Sequence, residues 1–244
     1  MDANFVKQTG DDITFQQSPL TGSALNTGVA ATGATGDVNL LMLQNGVIME
    51  QFVIGAGQTI IKPVMGANGL LVSGDQTNTE GWEYNYGAAR TNSRCAFTIG
   101  TSAAFFLECQ MTVADVSGGE PYMIGFRKSE ANNATLTSYT DYAMIGIDAG
   151  ANVGTIILKT ELNTGGTTNT NTTNAWADTA SHTLKILVSA AGVVTYTLDG
   201  IAPAVTAAFT FDNADVVCPF LRITHGAAAP GAVNLNSWKV GFQA

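Results

Sequence analysis

The sequence predicts an all-β sandwich, and three observations carry that expectation. Residues 181 to 203, SHTLKILVSAAGVVTYTLDGIAP, read as a β-hairpin followed by a tight turn. Leu184, Ile186 and Val188 alternate with Thr183, Lys185 and Leu187; Ala191-Gly192 reverses the chain, and Val194, Tyr196 and Leu198 run back to Asp199-Gly200. Phe105, Leu107, Cys109, Met111 and Val113 share one strand face, with Glu108, Gln110 and Thr112 among those on the other. No window of 12 residues sustains an i, i+3, i+4, i+7 apolar pattern, so almost no helix is expected.

Taken in chain order, residues 1 to about 38 read as an arm. LTGSALNTGVAATGATGD offers few side chains large enough to offset the entropy of ordering it, and its apolar anchors, Phe5, Val6, Ile13 and Phe15, come earlier. From Asp37 to about Leu71 the runs VNLLML, VIMEQFVI, QTIIKPV and GLLV are β-prone, and Asn45-Gly46, Gly55-Ala56-Gly57 and Gly66-Ala67-Asn68-Gly69 punctuate them as turns. Hairpins are expected there, either as a small docking subdomain or as the first strands of the sandwich. Residues 1–68 are therefore read as an arm and hairpin attachment region, and residues 69–244 as the sandwich domain. Further strands are expected at Tyr122 to Arg127, Tyr142 to Ile147, Thr155 to Thr160, His182 to Ser189, Val193 to Leu198, Phe220 to Thr224 and Val233 to Phe242. In the last of these the apolar parity switches between Leu235 and Trp238, which predicts a bulge near Asn236-Ser237. Residues 163 to 181, rich in Thr and Asn, are expected to form a long polar loop. Its Trp176 is a sugar-stacking platform, a partner anchor or a cap folded back on the sandwich.

With 244 residues the chain can bury one large core. Only 12% of residues are charged and the mean hydropathy is +0.16, so an isolated monomer would have little protection against association. A surface covered by partner chains is expected, as in a homo-oligomer. The net charge is −9 and the basic residues are scattered singly, which excludes a phosphate-binding face; no nucleic-acid partner is expected. No apolar run approaches the roughly 20 residues that span a bilayer, so no membrane partner is expected either. MDANFVKQTGDD has acidic residues and no apolar core where a signal peptide would differ on both counts, so synthesis in a cytosol-like compartment is expected. Cys95, Cys109 and Cys218 are odd in number and lack CxxC spacing, and they are read as buried reduced thiols.

The hairpin with its V-T-Y and D-G steps resembles those of laminin-G and concanavalin-like lectin jelly rolls. A wider set of segments carries a second resemblance: GLLVSGDQTNTEGWEYNYG (69–87), FTIGTSAAFFLECQMTVADVSGGEPYMIGFRKSE (97–130), YTDYAMIGID (139–148), WADT (176–179), VVTYTLDG (193–200), FTFDNADVVCPFLRI (209–223) and SWKVGFQ (237–243). With these, residues 69 to 243 are similar to lectin-like jelly-roll virion proteins of tailed bacteriophages. The resemblance implies a concanavalin-like jelly roll displayed on a particle made in the host cytoplasm, most simply as a homotrimer. As a capsid decoration or cement protein it would grip the major capsid protein or other virion subunits through the N-terminal region, with Phe5, Val6, Ile13 and Phe15 as candidate contacts. The alternative is a carbohydrate- or receptor-binding module of a head or tail fibre, meeting a cell-surface glycan with Trp82, Tyr139 and Trp176.

The chemistry-bearing residues are few. His182 has the parity of Leu184, Ile186 and Val188 and is read as a strand-end residue, and His225 precedes a Gly/Ala loop. No G-x-S-x-G, HExxH, P-loop or dinucleotide fingerprint occurs. Concanavalin-like folds host glycoside hydrolases, but their E-x-D-x-x-E motif is missing, Glu80 and Glu83 are three apart in a turn-rich stretch, and Glu108 is isolated. The expectation is that the chain is not an enzyme and uses no cofactor. Asp141, Asp148 and Asp199 lie beside strand ends, where such residues form turns or, in lectin-like domains, hold calcium.

Overall fold

A computed structural model of the chain describes residues 5–9, 12–17, 25–26, 38–42, 48–55, 64–66, 69–72, 79–86, 96–226 and 232–243. Its strands in chain order are β1 (Phe5–Thr9), β2 (Asp12–Gln17), β3 (Leu25–Asn26), β4 (Val38–Met42), β5 (Ile48–Ile54), β6 (Val64–Gly66), β7 (Gly69–Val72), β8 (Gly81–Tyr86) and β9 (Phe97–Thr98). They continue as β10 (Phe105–Val113), β11 (Gly119–Lys128), β12 (Tyr142–Ile147), β13 (Thr155–Glu161), β14 (Thr168–Ala175), β15 (Ser181–Val188), β16 (Val194–Leu198), β17 (Val216–His225) and β18 (Val233–Phe242). The only helices among the described residues are single 3-10 turns at Val116–Gly118 and Leu136–Ser138. The all-β expectation is met.

The strands form two antiparallel sheets. An eight-stranded sheet runs β1-β2-β18-β10-β15-β16, with β7 beside β18 and β6 beside β7; a ten-stranded sheet runs β14-β13-β12-β11-β17-β8-β5-β4-β3, with β9 on β17. Alternation decides which side chains meet between the sheets. Phe105, Leu107, Cys109, Met111 and Val113 are wholly buried in the core, whereas Gln110 on the same strand is exposed. Leu184 pairs with Leu198, Ile186 with Tyr196 and Val188 with Val194, so the hairpin places its whole apolar set on the core side. Phe97 stacks on Phe105 with ring centres 4.1 Å apart, and Phe126 meets Phe105 edge-on at 5.0 Å.

The turns follow their sequence signals. Asp199 and Gly200 both have positive φ, +50° and +82°, and Leu198 and Ile201 exchange backbone hydrogen bonds of 2.8 and 3.0 Å across them, which is the geometry a two-residue hairpin loop requires. On β18, Ser237 pairs with Gln110 and Leu235 with Met111, so Asn236 is the extra residue of the predicted bulge.

Two regions differ from what their sequences predict. The polar segment read as a loop contains β14, TNTNTTNA, paired along β13. Its alternation is invisible because both of its faces are Thr and Asn; it is an edge strand, with Thr172 buried and its Oγ1 donating to the Ile156 carbonyl at 2.7 Å. In the N-terminal region, β1 and β2 pair as a hairpin, and β2 hydrogen-bonds to β18 from Trp238 to Gly241. Phe5, Val6, Ile13 and Phe15 lie on this hairpin, and their side chains fall outside the described residues. The division expected at residue 68 runs through both sheets, because β2 extends one beside β18 and β5 lies between β8 and β4 in the other.

Candidate functional site

The outer face of the ten-stranded sheet is not bare. Met123, Met144, Ile157 and Phe220 point away from the main core, and Leu136 and Tyr139, from the segment joining β11 to β12, pack on them as a second apolar cluster. Residues 129–141 thus form a roof over the middle of the sheet.

Beneath the roof lies a buried ionic cluster. Arg222 on β17 sits opposite Glu83 on β8 in register, and Arg127 on β11 reaches the same carboxylate. Arg127 Nε donates to Glu83 Oε1 at 2.9 Å, Arg222 Nη1 to Oε2 at 3.1 Å, and the Tyr139 hydroxyl to Oε2 at 3.0 Å. The Arg127 guanidinium also lies 4.3 Å from the centre of the Tyr139 ring. Burial opposes the charge on Arg127, but the Glu83 carboxylate, together with Cys218 and Tyr139, outweighs it, so the group is held firmly protonated. Burial and Glu83 together push the Tyr139 phenol up, keeping it a neutral donor. Asn132 Nδ2 donates to Glu50 at 2.6 Å, while Asn85 Nδ2 bonds Glu83 at 3.2 Å and reaches Asn132 at 3.4 Å, which ties Glu50 into the cluster.

Beside the roof opens a cleft of about 400 Å³. Arg222 and Thr224, two apart on β17 and so on one face, line it together with Pro121 of β11. Lys159 on β13 and Asn169, its partner on β14, form the opposite wall, with Asp148 ion-paired to Lys159. Thr135, Leu136 and Thr137 of the roof close one side. Arg222 is 2% and Thr224 7% exposed, yet Arg222 Nε and Thr224 Oγ1 have no hydrogen-bond partner. Both atoms are sealed from solvent, so a ligand in the cleft would meet instead the exposed side chains of its rim, Thr135, Thr137 and Asn169.

A second groove, about 530 Å³, lies on the outer face of the eight-stranded sheet between Glu108, Lys185, Thr197 and Asp199. Its charges are already matched. Glu108 takes Lys239 at 2.6 Å and Lys185 at 3.6 Å, and Asp199 pairs with His182 Nδ1 at 2.7 Å. Burial raises the Asp199 carboxyl, but the Thr183 amide and the His182 ring outweigh it and hold it below its ordinary value.

The residues singled out in the sequence are placed as follows. Trp82, Tyr139 and Trp176 are at most 1% exposed, so none presents a ring face to solvent. Trp82 belongs to the core, Tyr139 to the ionic cluster, and Trp176 folds back as a cap, its Nε1 donating to the Ala180 carbonyl at 3.1 Å and its ring edge-on to His182 at 4.8 Å. Asp141, Asp148 and Asp199 lie apart: Asp141 is held by Lys128 at 3.2 Å and by the Asn163 amide at 2.7 Å, Asp148 by Lys159 and Asp199 by His182. Among the described residues no three His, Cys, Asp or Glu converge as metal ligands. His225 is buried, and its Nδ1 is hydrogen-bonded to the Tyr122 hydroxyl. Cys109 and Cys218 are free and buried; Cys95 lies outside the described residues. Sequence reasoning missed Arg127, Arg222 and Thr224. The signal was there as a basic residue inside each of two otherwise apolar strands.

No family model matches the chain, and no curated protein sequence matches it. Solved structures do. The legume lectin-like domain from Entamoeba histolytica aligns with a TM-score of 0.54 at 8% identity, covering 80% of this chain and 90% of that one. The fold is a lectin-like jelly roll. At lower TM-scores stand the carbohydrate-binding module CBM66 from Bacillus subtilis (0.41, 11% identity, 79% of this chain and 92% of that) and a GlcNAcα1-4Gal-releasing endo-β-galactosidase from Clostridium perfringens (0.49, 11% identity, 98% and 65%). The presence of such an enzyme among the similar structures overturns the expectation that the chain is not an enzyme. At these identities the likeness is one of fold and assigns this chain no reaction.

Proposed function

We propose that this chain is a carbohydrate-binding module that takes its ligand in the cleft between β17, β13 and the roof. The observation that carries this reading is a cleft of about 400 Å³ whose polar lining, Asp148, Lys159, Asn169, Thr135 and Thr137, suits sugar hydroxyls. Pro121, Leu136 and Ala151 supply apolar patches for the C–H faces of a sugar ring. The lectin-like fold is consistent with this reading, and the resemblance of residues 69 to 243 to bacteriophage virion proteins supports a host-surface glycan as ligand and a head or tail fibre as its setting. A homotrimer, expected from the low charge together with that resemblance, suits such display. Nothing in the fold or its neighbours favours a capsid-decorating role.

The test is a glycan array probed with the labelled full chain and with Asn169→Ala and Asp148→Asn. Asn169→Ala removes an exposed amide that lines the cleft, so binding should weaken by about 1 kcal/mol or more with an unchanged melting temperature. No binding to any glycan, or binding indifferent to both substitutions, overturns the proposal.

A further inference from the structure

One side of the sandwich is built without charge. Residues 200–211, GIAPAVTAAFTF, run back along β16: Ile201 bonds Leu198 at one end, the Val194 amide donates to the Phe209 carbonyl at 3.0 Å near the other, and Thr210 pairs with Val193. In between, the Val205 amide donates to the Thr172 carbonyl at 3.2 Å and the Ala204 amide to Asn174 Oδ1 at 3.0 Å, so the segment joins the edge strand of one sheet to the edge strand of the other. Apolar side chains face outward along it. Val193, Ile201 and Val205 are three of the five large apolar side chains exposed among the described residues, Ile201 the most open at 73%, and Ala202, Ala204 and Ala208 lie exposed on the same segment. Single exposed apolar residues are ordinary, whereas a strip of them along one side marks an interaction surface.

The charge pattern points to the partner. Neither residues 200–211 nor residues 162–177, which contain β14, include a charged residue, whereas both outer sheet faces carry ion pairs, Glu108 with Lys239 on one and Asp148 with Lys159 on the other. Asp199 and Asp212 bound the strip, each tied back into its own chain, by His182 and by Asn163. At a net charge of −9 two copies repel where their acidic surfaces meet, and this side lets them approach with no charge between. A foreign partner of so acidic a chain would gain most from basic groups, and the strip has no carboxylate to receive them. An apolar centre with charge kept to the rim is the anatomy of a subunit interface. β14 agrees. It is an edge strand with neither the charge nor the proline that blunts an exposed edge, and outside the stretch that residues 204 and 205 cover, residues 168–171 pair only with β13 among the described residues. We propose that this side, with Ile201 and Val205 exposed on it, is the surface on which a second copy of the chain docks.

This rests on the chain being a homo-oligomer, and the experiment separates the two. Sedimentation equilibrium of the full chain is compared with that of Ile201→Asp, of Val205→Asp and, as a control that adds the same charge to the outer face of the eight-stranded sheet, of Gln110→Asp. All three side chains are exposed, so folding should survive and far-UV circular dichroism should match the parent. The parent should sediment as an oligomer at micromolar concentration, with each strip substitution raising the Kd of self-association about tenfold or more and Gln110→Asp leaving it within about threefold. An oligomeric parent whose Ile201→Asp and Val205→Asp forms associate as tightly as the Gln110→Asp form overturns the surface and leaves the homo-oligomer standing. A parent that stays monomeric overturns both.

Discussion

Arg127 and Glu83 form an ion pair of 2.9 Å in which neither side chain has any exposed surface. Forty-four residues apart in sequence, they meet on the outer face of a sheet, where a polar contact would ordinarily be wet. The roof of residues 129–141 makes the site interior, and the ion pair in turn anchors the roof, because Arg127 Nη1 also donates to the Lys128 and Glu130 carbonyls at 3.0 and 3.3 Å. Fold and site are coupled through this pair.

Replacing Glu83 by Gln should therefore be severe. It leaves Arg127 and Arg222 buried without a counter-charge, a change that typically costs about 3–5 kcal/mol. Urea denaturation of Glu83→Gln should show a loss of that size or no folded baseline at all. A loss below about 1 kcal/mol would mean the arginines find other partners.

His225 makes stability depend on pH. Burial pushes its imidazole from 6.5 down to about 4, so the folded protein holds it neutral while the unfolded chain protonates it. The folded value is the depressed one, so the unfolded state binds more protons between about 4 and 6.5, and stability falls as pH drops through that window, by at most about 3 kcal/mol from this group. His225→Gln retains an acceptor for the Tyr122 hydroxyl and should flatten the slope of urea midpoint against pH. Parallel slopes for the two proteins would assign the acid sensitivity elsewhere.

Trp176 is a structural ring. Truncation to Ala removes a wholly buried side chain and should cost about 3–5 kcal/mol. Below the melting transition, glycan affinity should be retained. A Trp176→Ala protein that melts like the parent but loses its ligand would restore the stacking role.

The thiols of Cys109 and Cys218 should resist modification. Burial pushes both up, reinforced at Cys109 by Glu108 and opposed at Cys218 by Arg127, so neither supplies thiolate at neutral pH. Ellman's reagent should reach these two only after denaturant is added. Rapid labelling of either in the native protein would contradict the burial.

What could be read in the sequence follows from periodicity. β10 and β15 carry alternation, and β18 carries it with one parity switch, which gave their positions, the buried face and even the bulge at Asn236. β14 was missed because Thr and Asn occupy both of its faces, and alternation between two polar residue types leaves no signal. The site was beyond reach for a different reason. Arg222 and Glu83 are 139 residues apart, and only the strand order β11-β17-β8 brings the two arginines to one carboxylate. Periodicity reports which way a side chain points, and pairing order decides what it meets.

The place of β18 bears on synthesis. It lies inside the eight-stranded sheet, with β10 along one edge and both β2 and β7 along the other. On the ribosome, β2 and β7 would each wait, one strand edge unpaired and open to other nascent chains, until residues 233 to 242 emerge. The hairpin β1-β2, the pair β6-β7 and the ladder β10-β15-β16 can form earlier, and β18 is the strand that joins them into one sheet.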